Sequence, residues 1–363
     1  MKTIKLRLGP RSYDILVGRR IISSLGIYLK RLNLGQDALI ISNSTIFKLY
    51  GNLLSRVLKK EGFTLKFALV PDTEKSKSLK TAYSVIKKIS LFDRKKRVFV
   101  IAFGGGVIGD LSGFVASVYK RGVPYIQIPT TLLAQVDSSI GGKTGVDLDQ
   151  GKNLLGAFYQ PRLVLSDVDL IRSLKMRQMR SALAEIIKYS LIKDARLFGY
   201  LENNYRNLIR CDRRALELVI ARCSQIKAKV VGEDEREKKG IRTILNFGHT
   251  LGHAIETAGG YHLYNHGEGV SLGMLLACDI SLRLKLIRDD KVRRIEKLIR
   301  QTGLPTKIRK VSVERIIKSH YRDKKFIGAR NRFVLIRDIG KVTIRENIPL
   351  KVIKDALNGR LSG

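Results

Sequence analysis

The chain has 363 residues, of which 44% are hydrophobic and 28% are charged, a balance typical of globular proteins and not of disordered or fibrous ones. No stretch approaches the roughly 18 uncharged apolar residues that a membrane span needs. The net charge of +37 admits a nucleic-acid partner, but the excess is spread along the chain without interleaved aromatic residues, which favours a solvated basic surface.

The first half of the chain alternates strand-like and helix-like segments. Segments 2–8 and 13–17 flank Gly9-Pro10 and predict a hairpin, so the N-terminus is expected to form a strand and not a signal peptide. Nearly continuous apolar strands separated by helix-length segments then predict a parallel, doubly wound α/β sheet covered on both faces. The predicted strands are 38–42, 63–70, 98–104, 125–129 and 163–167, with helices over 19–32, up to 60, near 77–90 and from about 107.

After about residue 170, helical periodicity dominates, and only 332–338 and 341–346 look extended. We therefore predict an α/β domain over 1–170 and a mainly α-helical domain over 171–363, with ligands in the cleft between them. The three cysteines lack the spacing of a disulfide framework or a metal site, which predicts reduced thiols in the cytoplasm.

A glycine motif follows the predicted strand 98–104. Gly104, Gly106 and Gly109 satisfy G-x-G-x-x-G, a pattern that lets the backbone approach a diphosphate at a helix N-terminus. The usual dinucleotide fingerprint lies on the first strand of its fold, whereas this one lies on a late strand. A tight turn without a ligand is the alternative interpretation.

Four of the five histidines lie between positions 249 and 266. His249 and His253 are four residues apart and share one helix face, and His266 opens the next helix. Glu185 interrupts an apolar helical segment, with Lys188 one turn later. Two imidazoles and a carboxylate suit zinc with an open coordination position, although histidines can also cluster by accident on a helix surface.

Segment 136–158 is too polar and glycine-rich for a core element and is predicted to be a functional loop. It contains Asp137, Lys143, Lys152 and Asn153. Lysines on a flexible backbone suit phosphate and carboxylate groups, and a mobile surface loop is the alternative.

Six segments together resemble the motifs of the 3-dehydroquinate synthase family, within the sugar-phosphate cyclase superfamily. They are FGGGVIGDLSGFVAS (103–117), residues 119–147, GKNLLGAFYQP (151–161), LAEIIKY (183–189), LNFGHTLGHAIE (245–256) and NHGEGVSLGM (265–274). The resemblance implies an NAD-binding domain over 1–170 and a metal- and substrate-binding helical domain over 171–363. It also implies conversion of 3-deoxy-D-arabino-heptulosonate 7-phosphate to 3-dehydroquinate and phosphate, with catalytic NAD and zinc or cobalt. This reaction belongs to the shikimate pathway towards chorismate and aromatic amino acids, and a cytoplasmic homodimer is the family expectation.

The resemblance also implies roles for individual residues. Glu185, His249 and His266 look like the metal ligands, and His253 matches a position that handles protons near the substrate. Asp137 matches an aspartate near the reacting alcohol. The positions that match those around the substrate phosphate, carboxylate and hydroxyls are Arg121, Lys143, Lys152, Asn153, Lys188, Lys227, Arg242 and Asn246. The positions that match the cofactor site are Glu74, Lys77, Gly105, Gly106, Val107, Ile108, Gly109, Asp110, Thr130, Thr131, Lys143 and Lys152.

Two further positions bear on binding. Asn43 stands where the family often has an aspartate that binds the adenosine ribose, which predicts weaker NAD binding. Lys324 or Lys325 is expected to contact phosphate.

Three alternative functions remain. Another sugar-phosphate cyclase, of the 2-deoxy-scyllo-inosose or valiolone type, would share fold, metal and NAD, although GKNLLGAFYQP favours dehydroquinate synthase. A metal-dependent polyol dehydrogenase would consume NAD and would not need the lysine-rich segment. A nucleic-acid binder rests on the charge alone.

Overall fold

The computed structural model describes residues 1–94, 97–322 and 331–362. They form two compact units, the first made of Met1–Leu174 and Leu216–Arg236, the second of Lys175–Ala215 and Glu237–Gly363. The sequence-based division assigned 216–236 to the helical domain, whereas their contacts place them in the first unit. The binding role assigned to each domain, and the cleft between the domains, stay predictions.

The first unit is built on a seven-stranded sheet in the order β1-β2-β9-β6-β5-β3-β4. Its strands, with those of a separate hairpin, are β1 (Lys2–Leu6), β2 (Tyr13–Gly18), β3 (Asp37–Asn43), β4 (Thr64–Val70), β5 (Val98–Gly104), β6 (Tyr125–Pro129), β7 (Lys143–Leu148), β8 (Gly151–Phe158) and β9 (Leu163–Asp167). β1 and β2 form the predicted antiparallel hairpin, and the neighbours from β2 to β4 pair in parallel.

Helices cover both faces of this sheet, as predicted. The helices are α1 (Leu25–Leu32), α2 (Ser44–Lys60), α3 (Leu79–Phe92) and α4 (Gly106–Val118). Successive residues of a strand point to opposite faces, so Ala38 and Ile40 join the core with α1 and α2, whereas Leu39 and Ile41 join the core with α3 and α4. The helix predicted over 19–32 is instead a 3-10 turn, Ile21–Ser24, followed by α1.

Most of the segment predicted as a loop over 136–158 is an antiparallel hairpin of β7 and β8, so that prediction is wrong. Glycine-rich composition argued against a strand, but here it allows close strand contact. A Cβ built on Gly156 would lie 2.0 Å from the carbonyl oxygen of Thr144, and one on Gly145 would lie 2.7 Å from that of Leu155.

The second unit is mainly helical, as predicted. The remaining elements of the chain are α5 (Met176–Lys193), α6 (Ala195–Ile209), α7 (Arg213–Glu233), α8 (His249–Ala258), α9 (His266–Arg283), α10 (Asp289–Gln301), α11 (Val313–Arg322), β10 (Arg332–Asp338), β11 (Lys341–Glu346) and α12 (Leu350–Arg360). β10 and β11 pair as an antiparallel hairpin. Most of α7 belongs to the first unit. No helix of the described residues is long and apolar enough to cross a membrane.

Candidate functional site

Three side chains of the second unit converge on one point. Glu185 lies within α5, and His249 and His266 are the first residues of α8 and α9. Oε1 of Glu185 lies 3.4 Å from Nε2 of His249 and 3.3 Å from Nε2 of His266. One ligand atom from each residue lies within 4.8 Å of the others, and Glu185 is fully buried. The structure therefore brings the predicted metal ligands together.

The second nitrogen of each imidazole has an acceptor nearby. Nδ1 of His249 lies 3.1 Å from the carbonyl oxygen of Phe247, and Nδ1 of His266 lies 3.3 Å from Oε1 of Glu256. We assign the ring proton of the neutral imidazoles to Nδ1 in both cases. With this tautomer, the Nε2 atoms on the Glu185 side are unprotonated and can ligate a cation.

Glycines let α8 and α9 approach closely enough for their first histidines to meet. A Cβ built on Gly273 would lie 1.8 Å from the carbonyl oxygen of Gly248. One built on Gly252 would lie 2.8 Å from the carbonyl oxygen of Gly269. Real Cβ atoms essentially never come closer than 3.0 Å, so this backbone contact requires glycine.

Lys188 lies one turn after Glu185 and pairs with it inside the unit. Its Nζ contacts Oε2 of Glu185, which leaves Oε1 to face both histidines. Desolvation lowers the pKa of His266, but hydrogen bonds to Glu185 and Glu256 outweigh this effect and raise the pKa to about 10. Cation binding at Nε2 therefore requires His266 to release a proton.

The donor set of Glu185, His249 and His266 fits a zinc or cobalt ion. Two imidazole nitrogens and one carboxylate oxygen are the ligand types these ions favour, and three protein ligands leave an open position for a water or a substrate. This fit depends on Oε1 of Glu185, which lies 3.4 Å from Nε2 of His249 and 3.3 Å from Nε2 of His266. Lys188 contacts the other carboxylate oxygen, Oε2.

His253 lies one turn after His249, outside this trio. Its ring centroid is 5.2 Å from that of His249 and 6.0 Å from that of His266. With Glu256 and His266 it forms a second group of potential ligand atoms within 4.8 Å of one another. Its position beside the trio suits the proton-handling role that the resemblance implies.

Arg242 and Asn246 are the first and last residues of a 3-10 helix that precedes α8. Arg242 is buried, and its Nε lies 3.4 Å from Oε1 of Glu237. The two predicted substrate residues therefore lie in the segment that leads to His249.

In the first unit, the glycine motif forms the turn from β5 into α4. Gly105 is the N-cap residue and Gly106 begins the helix. A Cβ on Gly105 would lie 3.0 Å from Thr131, and one on Gly106 would lie 3.1 Å from Ser138. These glycines keep the backbone accessible at a helix N-terminus, the arrangement that binds phosphate groups.

The other predicted cofactor residues of this region differ in what they can present. Ile108 is buried and packs in the core beside α3, so its side chain is not available to a ligand. Thr130 is buried, and its N–H donates to the carbonyl oxygen of Gly104. Thr131 Oγ1 accepts a hydrogen bond from the N–H of Ala134 at 3.2 Å. Val107 and Gly109 lie in the first turn of α4.

Lys77 joins the glycine turn to the hairpin of β7 and β8. Its buried ammonium contacts the carboxylate of Asp110 and the side-chain oxygen of Asn153. Burial raises the pKa of Asp110, although Lys77 acts in the opposite direction. Lys152 Nζ lies 3.5 Å from Oε1 of Glu74. Lys77, Asp110 and Asn153 thus form one cluster, and Lys152 pairs with Glu74.

Asp137 and Lys227 form a second ion pair in the first unit. Asp137 lies in a π-helical turn, Ala134–Ser138, and π-helical turns frequently occur at functional sites. Nζ of Lys227, on α7, donates to Oδ1 of Asp137 at 2.7 Å and to its carbonyl oxygen at 2.8 Å. The two predicted residues, 90 positions apart, are in direct contact.

Arg121 and Lys143 are both exposed. Arg121 follows Lys120 in the left-handed region, with φ of 61° and 48° respectively. Among the described residues of the first unit, no hydrogen bond or ion pair connects Arg121 to another candidate residue. Lys143 begins β7. Lys324 and Lys325 lie outside the described residues.

Asn43 already uses both ends of its side-chain amide. Its Oδ1 caps α2 by accepting from the N–H of Ile46 at 2.8 Å, and its Nδ2 donates to Oδ1 of Asp72 at 2.9 Å. The residue therefore has a structural role at the end of β3. The predicted effect on NAD binding stays a prediction.

Comparison with known proteins identifies the family. Models of the N-terminal and C-terminal parts of 3-dehydroquinate synthase match residues 67–181 and 182–326. A 3-dehydroquinate synthase of Pelotomaculum thermopropionicum is 42% identical over 359 residues, which cover 99% of this chain and 96% of the relative. One of Desulforamulus reducens is 44% identical over 349 residues, covering 96% and 97%. The chain belongs to the 3-dehydroquinate synthase family. The family and fold class predicted from the sequence are confirmed.

Solved structures of related cyclases share the fold of this family member. A 2-deoxy-scyllo-inosose synthase in complex with carbaglucose-6-phosphate, NAD+ and Co2+ matches with a TM-score of 0.90 at 26% identity, covering 99% of this chain and 100% of that one. A 2-epi-5-epi-valiolone synthase from Streptomyces hygroscopicus with NAD+ and Zn2+ matches with a TM-score of 0.88 at 28% identity, covering 99% of each. An iron-containing alcohol dehydrogenase, at 17% identity and a TM-score of 0.65, shares the fold alone.

Glu256 is not among the residues predicted from the sequence, although its side chain contacts His266. A signal was present, because His249, His253 and Glu256 follow at i, i+4 and i+7 and therefore share one face of α8.

Proposed function

We propose that the chain converts 3-deoxy-D-arabino-heptulosonate 7-phosphate to 3-dehydroquinate and inorganic phosphate in the shikimate pathway. The observation that carries this proposal is the trio of Glu185, His249 and His266, in a chain 42–44% identical to relatives named 3-dehydroquinate synthase. Substrate and products balance without net oxidation, so NAD, when held by the residues proposed below, would supply reversible hydride chemistry and would not be consumed.

Glu185, His249 and His266 are proposed to hold one zinc or cobalt ion. When bound, the ion polarises the substrate hydroxyl that is oxidised and the carbonyl that replaces it. Lys188 holds Oε2 of Glu185 and so keeps Oε1 directed at the two imidazoles. His253, one turn from His249 on the same helix, is placed to exchange protons with the substrate.

The first unit is proposed to bind NAD. The N–H groups of Gly105 and Gly106 at the start of α4 are directed towards a diphosphate, with which the partial positive charge of the helix N-terminus interacts favourably. Lys77 supplies a cation whose position is fixed by Asp110 and Asn153. The other residues proposed for the cofactor are Glu74, Val107, Ile108, Gly109, Thr130, Thr131, Lys143 and Lys152.

The anionic substrate requires cations and a positioned acceptor. Lys227 holds the Asp137 carboxylate by Oδ1, and this aspartate is proposed to lie near the reacting alcohol of the substrate. Lysines suit phosphate as point charges, and arginine suits planar carboxylates. The remaining proposed substrate residues are Arg121, Lys143, Lys152, Asn153, Lys188, Arg242 and Asn246.

We propose that the enzyme acts in the cytoplasm as a homodimer. Its partner in this function is a phosphorylated sugar acid, and neither a membrane nor a specific nucleic acid has a role. The net charge of +37 is spread along the whole chain, as a solvated basic surface requires.

Phosphate release from the heptulosonate phosphate tests the function. With trace NAD and added zinc, we expect many phosphates per NAD, dehydroquinate as the product and no accumulation of NADH. Phosphate release from glucose 6-phosphate or cyclisation of a heptulose 7-phosphate, with the heptulosonate inert, would instead indicate one of the related cyclases. NADH accumulating on polyols without phosphate release would indicate a dehydrogenase.

A further inference from the structure

Glu256 lies in the last turn of α8 with its side chain against the start of α9. It is 8% exposed, and its Oε1 lies 3.3 Å from Nδ1 of His266. A Cβ on Gly269 would lie 2.7 Å from Cγ and 2.9 Å from Oε1 of Glu256, so glycine at this position makes room for the carboxylate. A buried carboxylate is costly without a charged partner, and Nδ1 of His266 lies within ion-pair distance of this one.

The two ring nitrogens of His266 lie near different groups. Its Nε2 lies 3.3 Å from Oε1 of Glu185, within the trio. A neutral imidazole that ligates a metal through Nε2 must carry its proton on Nδ1, the nitrogen that faces Glu256. A carboxylate that accepts this proton fixes both the tautomer and the rotation of the ring.

His249 has a different arrangement. Its Nδ1 faces the neutral carbonyl oxygen of Phe247, which belongs to the backbone just before α8. The position of that carbonyl is set by the chain itself, whereas the acceptor for His266 is a side chain that a single substitution removes. The group nearest to Nδ1 of His266 is thus a replaceable side chain, whereas a backbone carbonyl lies 3.1 Å from Nδ1 of His249.

We infer that Glu256 is a positioning residue that holds His266 with Nε2 directed at the metal. This inference rests on the metal site of the proposed function. Glu256 itself does not ligate the ion or touch the substrate in this role. The competing role, suggested by the group of His253, Glu256 and His266, is a direct ligand of a second ion.

The test measures metal binding to the whole purified chain without substrate. Glu256→Ala, Glu256→Gln and Glu268→Gln are compared with the parent protein by competition for Zn2+ against a chromophoric chelator, which gives affinity and stoichiometry. Glu268 is a matched control because it lies on α9 two residues after His266 and pairs with Arg177 instead. Glutamine there can still accept the N–H of Asn265.

We expect Glu256→Ala to weaken Zn2+ binding about 10- to 100-fold at one ion per chain, the range found when a carboxylate that orients a ligand is removed. Glu256→Gln retains an acceptor without the charge and should lose about three- to tenfold. The visible absorption of bound Co2+ should change in both variants because the ring rotates, while Glu268→Gln keeps the parent affinity and spectrum. Thermal unfolding of the metal-free proteins identifies a variant that fails to fold. If Glu256→Ala does not fold, the Zn2+ affinity of Glu256→Gln tests the inference.

Parent affinity and Co2+ spectrum in both folded Glu256 variants would overturn the inference. Two ions per parent chain, with Glu256→Ala losing only one of them, would also overturn it, because Glu256 would then be a ligand. If the parent protein binds neither Zn2+ nor Co2+, both this inference and the proposed function fail. If the parent protein binds metal and releases phosphate normally but Glu256 proves indifferent, only this inference fails.

Discussion

Replacing Gly273 by alanine is expected to separate the two helices that begin with His249 and His266. The added Cβ would lie 1.8 Å from the carbonyl oxygen of Gly248 and 2.7 Å from the backbone nitrogen of Gly252. Both atoms belong to the backbone, so no side-chain rotation relieves the overlap. The start of α8 or the middle of α9 must therefore move.

The size of this movement follows from the contact distance. To reach 3.0 Å, the shortest approach that real Cβ atoms show, the contact with Gly248 must lengthen by about 1.2 Å. Metal–ligand distances tolerate only about 0.2 Å, so such a shift displaces an imidazole from its bonding position. Overpacking costs about 1–3 kcal/mol, partly offset by the higher helix propensity of alanine, about 1 kcal/mol.

We therefore expect Gly273→Ala to lower the free energy of unfolding by up to about 2 kcal/mol and to weaken Zn2+ binding about 10- to 100-fold. Chelator competition measures the affinity and urea unfolding measures the stability. Gly199→Ala is the matched control: it lies inside α6, and a Cβ there has nothing within 4 Å. The control should gain up to about 1 kcal/mol and bind Zn2+ normally. Normal Zn2+ affinity in Gly273→Ala would refute the argument that close helix contact sets the ligand positions.

Three further predictions concern other parts of the chain. His249→Ala and chelation should each abolish phosphate release while far-UV circular dichroism stays unchanged; full activity of metal-free protein would contradict the ligand assignment. Asn43→Asp would place two carboxylates in contact at Asp72, so urea unfolding should show a loss of about 1–2 kcal/mol at pH 7; stability equal to that of the parent protein would be inconsistent with this contact. Burial acts to raise the pKa of Glu296, but its ion pair with Arg360 outweighs this effect and holds the pKa below its ordinary value of 4.5. The stability that this ion pair contributes is complete above pH 4.5 and is lost as the pH falls through the lower pKa of the folded state. Below pH 4.5, the melting temperature of Glu296→Gln should therefore depend less on pH than that of the parent protein. The same pH dependence in both proteins would count against the pair.

The strands of the sheet in the first unit could be predicted because the sequence of each buried strand shows its burial directly. Each strand of the sheet interior is a run of apolar residues, and helix-length segments separate them. The hairpin of β7 and β8 could not be predicted in this way, because β8 has no buried residue and the two strands contain Gly145 and Gly156. Their missing side chains serve a contact between two strands, which becomes visible only when the strands are paired.

In the candidate site, too, local patterns could be predicted from the sequence and contacts between distant residues could not. The spacing of His249 and His253 was enough to place both imidazoles on one helix face, and the apolar surroundings of Glu185 marked it as unusual. The contact between Asp137 and Lys227 joins residues 90 positions apart through a π-helical turn, and no local pattern reports such a pairing. The family resemblance supplied both residues but not their contact.

Leu216–Arg236 belongs to the first unit although it follows part of the second unit in sequence, and this has a consequence for synthesis of the chain. A fragment that ends at Leu174 would contain the whole seven-stranded sheet but would lack the helix that carries Lys227. On the ribosome, the first unit can be completed only after Arg236 has emerged, by which time Lys175–Ala215 of the other unit is already outside. Synthesis of the two units therefore overlaps in time, and a single cut in the gene cannot separate them.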